Sequence, residues 1–298
     1  MVHVTDEVRQ ALSRGAAVVA LETAVLTHGL PRPANAQTYQ EMLSAVRAGG
    51  AVPAPVAVWE GALRVGLGDE EIQALGRARD VAKAGLADLP ALAARRGRGG
   101  TTVAATLWGA RRAGIAVFAT GGIGGVHRGW AGTLDVSGDL AALARYGGCV
   151  VCSGAKAVLD LPCTLEALET LGVTVVGYRT GVFPAFVCAD SGLGLRHRVE
   201  TPDGAAAVVR ARDALGLAQA VVVANPPPAG SAVPREQVEA ALAGLGSGRG
   251  PEATPRLLRA LAEATGGASV AANRALLVDN ARLAARIARC LAGPARGP

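Results

Sequence analysis

Ala116-Val117-Phe118-Ala119-Thr120-Gly121-Gly122-Ile123-Gly124-Gly125-Val126-His127-Arg128-Gly129 is the stretch that decides how this chain is read. Four consecutive apolar residues run straight into a loop of glycines. A strand that is apolar at every position has both faces covered, as in a parallel sheet sandwiched between helices. Similar short apolar runs occur at residues 17–21, 56–59, 149–152, 173–177 and 220–224. Between and beyond them lie stretches with helical character: 6–14, 35–48, 69–75, 101–113, 137–145, 164–171, 204–215, 235–245, 254–264 and 269–291. The alternation predicts an α/β fold. We expect one catalytic domain over residues 1–292 with a helical C-terminal part, and a flexible tail at 293–298. The Pro- and Gly-rich segments 226–230 and 246–251 read as flexible connections, and no internal repeat is visible.

The chain has 298 residues, half of them apolar, but only three each of Phe, Trp and Tyr. Its core must therefore be built from Ala, Val and Leu. The N-terminus lacks the basic and apolar regions of a signal peptide, and no run approaches the roughly 18 apolar residues of a membrane span. Five cysteines without regular spacing make no disulfide framework, so a reducing cytoplasm is the expected compartment. Cys149 and Cys152 have the spacing of a redox pair but lie inside an apolar strand, which makes them core residues.

A net charge of +6 raises the alternative of an Arg-rich RNA-binding protein. Most Arg residues, however, are interleaved with acids and Ala. The compact cluster Arg95-Arg96-Gly97-Arg98 lacks neighbouring aromatics for base stacking. An anionic small substrate accounts for the charge equally well.

Within the thirty cations, Lys occurs only at Lys83 and Lys156; the other twenty-eight are Arg. A guanidinium stays protonated in proteins, whereas an amine can lose its proton when buried or crowded, and only a neutral amine attacks carbon to form an imine. Both lysines are flanked by small or apolar residues, as in Ser153-Gly154-Ala155-Lys156-Ala157-Val158. Lys156 is therefore the candidate nucleophile. Catalytic groups of α/β sheets gather beyond the C-terminal ends of strands. There the chain carries Glu22-Thr23, Thr120 with the glycine loop, Ser153 to Lys156, and Asn225-Pro226. A carboxylate directly after a buried strand suits general acid–base work, with a salt bridge to Arg as the structural alternative for Glu22.

The glycine run fails both nucleotide-loop patterns, since His127 takes the third glycine position and no Lys-Ser/Thr follows. It remains a row of backbone N–H groups able to approach a phosphate. Asp135-Val136-Ser137-Gly138-Asp139 fails as an EF-hand, with Leu140 at the glycine position. Ser137 or Asp135 can cap the helix that follows, and Asp135 can hold a hard divalent cation with waters.

Taken in order, Ala20-Leu21-Glu22-Thr23, His28-Gly29-Leu30-Pro31, Phe118 through Gly129, Asp135 through Leu140, Gly154-Ala155-Lys156 and Val223-Ala224-Asn225-Pro226 resemble the pseudouridine-5′-phosphate glycosidases of the indigoidine synthase A-like family, over nearly the whole chain. The resemblance implies a three-layer αβα fold with a mixed, mostly parallel central sheet, and a homotrimer. It implies a lyase that reversibly cleaves the C–C glycosidic bond of pseudouridine 5′-phosphate to uracil and ribose 5-phosphate. Lys156 then matches the nucleophile, Glu22 the proton donor and Asp135 the Mn²⁺ ligand, with Mg²⁺ or another divalent ion as substitute. Lys83, Val103, Ser137, Gly138 and Asp139 match substrate-contacting positions, and Thr120, His127 and Asn273 complete the expected substrate-binding set. No nucleic-acid polymer or membrane partner is implied. The departures are small: Thr23 stands where Ser is commoner, Gly138 where Ala is common, and Trp130-Ala131-Gly132 lacks an acidic residue usual near Ala131. A Schiff-base phosphosugar lyase or aldolase acting on another C-nucleoside is the enzymatic alternative.

Overall fold

The computed structural model describes residues 1–243 and 253–292. Its strands are β1 (Val2–Val4), β2 (Val18–Glu22), β3 (Val52–Trp59), β4 (Ala62–Val65), β5 (Ala82–Ala84), β6 (Gly99–Thr101), β7 (Val117–Ala119), β8 (Cys149–Cys152), β9 (Thr174–Tyr178), β10 (His197–Val199) and β11 (Val221–Ala224). The helices are α1 (Asp6–Ser13), α2 (Ala34–Ala48), α3 (Asp69–Arg77), α4 (Leu89–Ala94), α5 (Val103–Ala113), α6 (Trp130–Thr133), α7 (Gly138–Arg145), α8 (Leu161–Thr170), α9 (Pro202–Ala214), α10 (Arg235–Ala243), α11 (Ala253–Ala264) and α12 (Ala268–Ala292). A π-helical turn, Val25–Gly29, follows β2. No helix among the described residues is long and apolar enough to cross a membrane.

One mixed, mostly parallel sheet runs in the order β1-β4-β3-β2-β7-β8-β11-β9-β10. Its central strands β2, β7, β8 and β11 are parallel neighbours and buried throughout, as their unbroken apolar sequences require. Helix α12 packs on β2, β7 and β8 together with α2 and α9, while α5 packs on β2, β3, β4 and β7 together with α7. Small side chains let these layers approach closely. A Cβ on Gly109 of α5 would press Leu63 of β4 at 2.7 Å.

The six expected strands are present; five more were not foreseen. β1 and β10 are edge strands with polar or exposed residues, and β4 alternates around Arg64. β5 and β6 are three residues each, and β6 begins with two glycines that read as loop. Tertiary pairing overrides that weak local signal. β6 lies antiparallel to the C-terminal half of β3 and parallel to β5, with Lys83 opposite Gly100. Thr101 consequently belongs to a strand, and the helix expected from 101 starts at Val103.

Ser137 is the N-cap of α7, its Oγ accepting from Asp139 N at 3.2 Å, so the capping reading holds. The expected flexible connection 226–230 is instead packed: Pro227 is buried, and Pro228 O accepts from the backbone N–H of Ser231 and Ala232. Segment 246–251, the end of the 235–245 helix and the tail 293–298 lie outside the described residues.

Cys149 and Cys152 are buried and unbridged, and burial pushes both thiols up to about 12, as fits core residues. The Arg95–Arg98 cluster does have an aromatic neighbour, Trp59, but Arg98 already stacks on it at 4.4 Å and faces Glu60 at 3.8 Å.

Gly154 adopts φ +72°, and a Cβ there would run into Pro184 O. Gly138, by contrast, has open space around it. Gly154→Ala is therefore expected to destabilise the protein by about 2–4 kcal/mol, from left-handed strain and overpacking together. Gly138→Ala should change stability by less than about 1 kcal/mol. Thermal or urea unfolding of the two variants side by side checks the contrast.

Candidate functional site

Parallel alignment of β2, β7 and β8 brings three sequence-distant segments to one edge of the sheet. Glu22 is the last residue of β2, and Thr120 follows β7 directly. Thr120 Oγ1 donates a short hydrogen bond to Glu22 Oε1. Beyond β8 the chain is stitched to the glycine loop: Ile123 N donates to Gly154 O at 3.0 Å, and Lys156 N donates to Ile123 O at 3.1 Å. These two bonds fix the backbone from which the Lys156 side chain extends.

Lys83 arrives by a different route. β6 lies alongside β3 just past the point where β2 ends, and β5 pairs with β6. The approach is close: a Cβ on Gly100 would strike Thr27 Oγ1 and come within 3.0 Å of Thr23 O. Glycine at this position lets β6, and with it β5, reach the site. Thr23 serves the same junction, its hydroxyl donating to Val56 O at 2.7 Å and accepting from Thr101 N at 3.1 Å.

Glu22, Lys83, Lys156 and Asn273 share one narrow cavity with His28, Gly121, Gly122, Phe186 and Leu277. It offers about 60 Å³ to a water-sized guest, and it adjoins an outer groove of about 400 Å³ that shares His28, Phe186, Leu258 and Asn273 with it. A larger groove of about 590 Å³ at the β1–β4 edge is lined by His3, Arg9, Trp59, Arg64 and Arg96, with neither lysine in its lining. The smaller cavity is the candidate site, because there a buried acid meets both lysines.

Only 6 % of Glu22 is exposed. Burial raises its pKa, which the charge of Lys156 and the Thr120 hydrogen bond partly oppose, while Asp139 raises it further and Lys83 lowers it. No arginine bridges Glu22 among the described residues, so the salt-bridge alternative falls away. The carboxyl is poised to hold a proton.

Behind the cavity, the glycine loop is fixed by Asp139. Its Oδ1 accepts from Ala104 N at 3.0 Å and its Oδ2 from Gly124 N at 2.8 Å, tying the start of α5 beside Val103 to the loop. Val103, Ser137, Gly138 and Asp139 thus gather around the loop at the first turns of α5 and α7, outside the lining of the inner cavity. His127 is buried nearby, and desolvation lowers its pKa against the opposing pull of Asp135; both lysines lower it further. Its imidazole is held neutral. Arg128 turns away, with Nε donating to Leu159 O at 3.3 Å.

Asp135 is half-buried, and its carbonyl accepts from His127 N at 3.1 Å. No group of three or more His, Cys, Asp or Glu that could hold a metal occurs among the described residues. One carboxylate beside one neutral imidazole fits a hard ion that keeps most of its water, as Mg²⁺ and similar ions do, and does not fit a closed zinc cage.

Sequence reading assigned no role to His28 or Phe186. His28 lies in the π-helical turn, with Nδ1 at 2.7 Å from Thr27 Oγ1. Phe186 has φ +60° and is held by its N–H to Ser153 O at 2.8 Å. Its ring lies against the loop: a Cβ on Gly122 would meet it at 2.8 Å. A bulky residue in the left-handed region, over a glycine that only glycine can occupy, marks a functional site. The signal available in the sequence was scarcity, as for lysine, because the chain has only three Phe.

Comparison with known proteins gives the chain its family. The family model described as indigoidine synthase A like protein matches residues 7–290. A pseudouridine-5′-phosphate glycosidase of Methylobacterium nodulans is 52% identical over 293 residues, covering 96% of this chain and 87% of the relative. One from Hahella chejuensis is 46% identical, with 96% of each chain covered. Among solved structures, an indigoidine synthase A-like protein of Thermotoga maritima superposes with a TM-score of 0.90 at 34% identity, covering 98% of this chain and 97% of that one. The prealnumycin C-glycosynthase AlnA, solved in complex with ribulose 5-phosphate, gives a TM-score of 0.90 at 37% identity and the same coverage. With the family model spanning residues 7–290 and relatives of 46–52% identity over nearly the whole chain, this chain belongs to the indigoidine synthase A-like family.

Proposed function

We propose that this protein is a pseudouridine-5′-phosphate glycosidase that reversibly converts pseudouridine 5′-phosphate and water to uracil and ribose 5-phosphate, by way of an imine on Lys156. The observation that carries the reading is a buried Glu22, its pKa raised by desolvation, in one cavity with Lys83 and Lys156. Relatives named for the activity, and a relative that makes C-glycosides and binds a pentulose phosphate, support it.

The substrate has a carbon leaving group, so hydrolysis by two carboxylates is unsuitable. The Lys156 amine attacks C1′, the C1′–O4′ bond breaks, and Glu22 gives its proton to O4′, opening the ring. The new ammonium gives a proton back to the Glu22 carboxylate. The freed nitrogen lone pair forms the C1′=N bond as the C1′–C5 bond breaks, and C5 of uracil takes that proton from Glu22. Water adds to the iminium, releasing ribose 5-phosphate and the free amine. Lys83 contributes positive charge on the cavity wall. Of the glycine loop, Gly121 and Gly122 line the cavity and meet the substrate, because the N–H groups of Ile123, Gly124, Val126 and His127 are already donated within the protein. Asp135 would hold Mn²⁺ through waters, where the ion adds positive charge beside the phosphate. A homotrimer in the cytoplasm belongs to the same reading, and light scattering at three times the 29.8 kDa chain mass would support it.

Lys156→Arg is expected to fold and to show neither turnover nor a borohydride-trapped adduct with ribose 5-phosphate, because a guanidinium is a poor attacker. Cleavage by that variant, or trapping on Lys83 in the wild type, would overturn the mechanism. Asp135→Asn should weaken Mn²⁺ binding, read by titration calorimetry, together with turnover. Full activity after exhaustive chelation would remove the metal from the scheme.

Glu22→Gln should lose about 10²–10⁴-fold in kcat, the usual worth of a general acid, while still binding substrate. It should also gain stability with a defined pH dependence. The folded wild type holds the Glu22 proton more tightly than the unfolded chain does. Wild-type stability therefore falls as pH rises from the ordinary carboxylate range through the raised folded-state value. The variant carries no such proton, so its melting temperature should exceed the wild type's at about pH 8, with the gap closing towards about pH 4. A Gln variant less stable than wild type at the higher pH would contradict the assigned burial.

A further inference from the structure

Helix α12 carries two buried asparagines on one face, Asn273 and Asn280, two turns apart. Asn273 lines the cavity. Asn280 is fully buried deeper in the fold, among neighbours such as Leu276, Leu277, Ala281 and Ala284. A side-chain amide in such surroundings persists only when its hydrogen bonds are made. They are made to three strand ends at once. Asn280 Nδ2 donates to Thr120 O at 2.9 Å and to Ser153 Oγ at 3.1 Å, and its Oδ1 accepts from Asn225 Nδ2 at 2.9 Å. Asn225 Nδ2 also donates to Asp279 Oδ2 at 2.9 Å, which anchors the far end on the same helix.

Thr120, Ser153 and Asn225 are the residues that follow β7, β8 and β11. Thr120 is also the residue whose hydroxyl holds Glu22. We propose that Asn280 is a positioning residue for the reaction: by fixing the Thr120 backbone it sets the rotamer and direction of the hydroxyl that orients the Glu22 carboxyl toward the sugar. The proposal rests on Glu22 being the proton donor. Asn280 does not line the inner cavity, and its link to the acid is the Thr120 carbonyl.

Several outcomes separate this role from a merely structural one. Asn280→Ser should lower kcat by about 10- to 100-fold, as a misplaced catalytic group does, and leave KM for pseudouridine 5′-phosphate within about threefold. Borohydride trapping of ribose 5-phosphate on Lys156 should persist, since the nucleophile is held by different bonds. The alkaline limb of the kcat profile should move to higher pH, because the Thr120 bond that favours the ionised carboxylate is weakened. In the Thr120→Val/Asn280→Ser double variant, kcat should be no lower than in Thr120→Val alone. Leu283→Ala, a core truncation on the same helix, should leave kcat and the pH limb unchanged. If Asn280→Ser does not fold, Asn225→Ser removes the donor to Asn280 Oδ1 and should shift kcat and the limb in the same direction, by less. Wild-type kcat and pH profile in a folded Asn280→Ser or Asn225→Ser protein, or losses that multiply in the double variant, would sink the positioning role. Full turnover by Glu22→Gln would instead remove the proton-donor reading beneath it.

Discussion

A carboxylic acid at the end of a strand buried on both faces is the constraint around which this molecule is arranged. Ionised Glu22 has almost no water to solvate it, and no arginine among the described residues neutralises it, although the chain has twenty-eight. The carboxyl instead receives one hydroxyl from Thr120 and sits in the opposing fields of Lys156 and Asp139. An arginine pair would have held the carboxylate ionised, which is useless for an acid that must give a proton away. The choice of a neutral hydrogen-bond donor follows from the task.

Positioning that acid against an amine requires adjacent parallel strands. β2, β7 and β8 are neighbours, so whatever follows each of them arrives on the same side of the sheet. The glycines after β7 let the loop lie flat enough for Ile123 to pair with the Gly154–Lys156 segment. Asp139 then holds that loop from behind, with Oδ2 on Gly124 of the loop and Oδ1 on Ala104 of α5. Its charge bears on Glu22 as well, so one side chain sets loop geometry and biases the acid toward its protonated form.

Much of this was legible in the sequence, for identifiable reasons. Unbroken apolar runs give buried parallel strands, and two lysines in an arginine-rich chain draw attention to amine chemistry. Glu22 stands out because a charge so placed has no solvated alternative. The β5–β6 pair was illegible, since Gly99-Gly100 has no strand propensity and is ordered only by β3 beside it. Lys83 could therefore be singled out by type, while its route into the cavity could not. Phe186 was missed because its role depends on a left-handed backbone that local sequence does not announce. Asn280 was missed for another reason: within a helical pattern, a buried amide cannot be told from a solvated one until the strand ends it bridges are known.

The two lysines, His127 and Glu22 also constrain each other's protonation. His127 lies in the field of both lysines and is partly desolvated, which holds its imidazole neutral although Asp135 pulls the other way. Kept neutral, it can bond to a phosphate or a hydrated cation through one nitrogen without disturbing the acid. The raised carboxyl pKa and the lowered imidazole pKa thus share one cause, since burial disfavours the charged form of each.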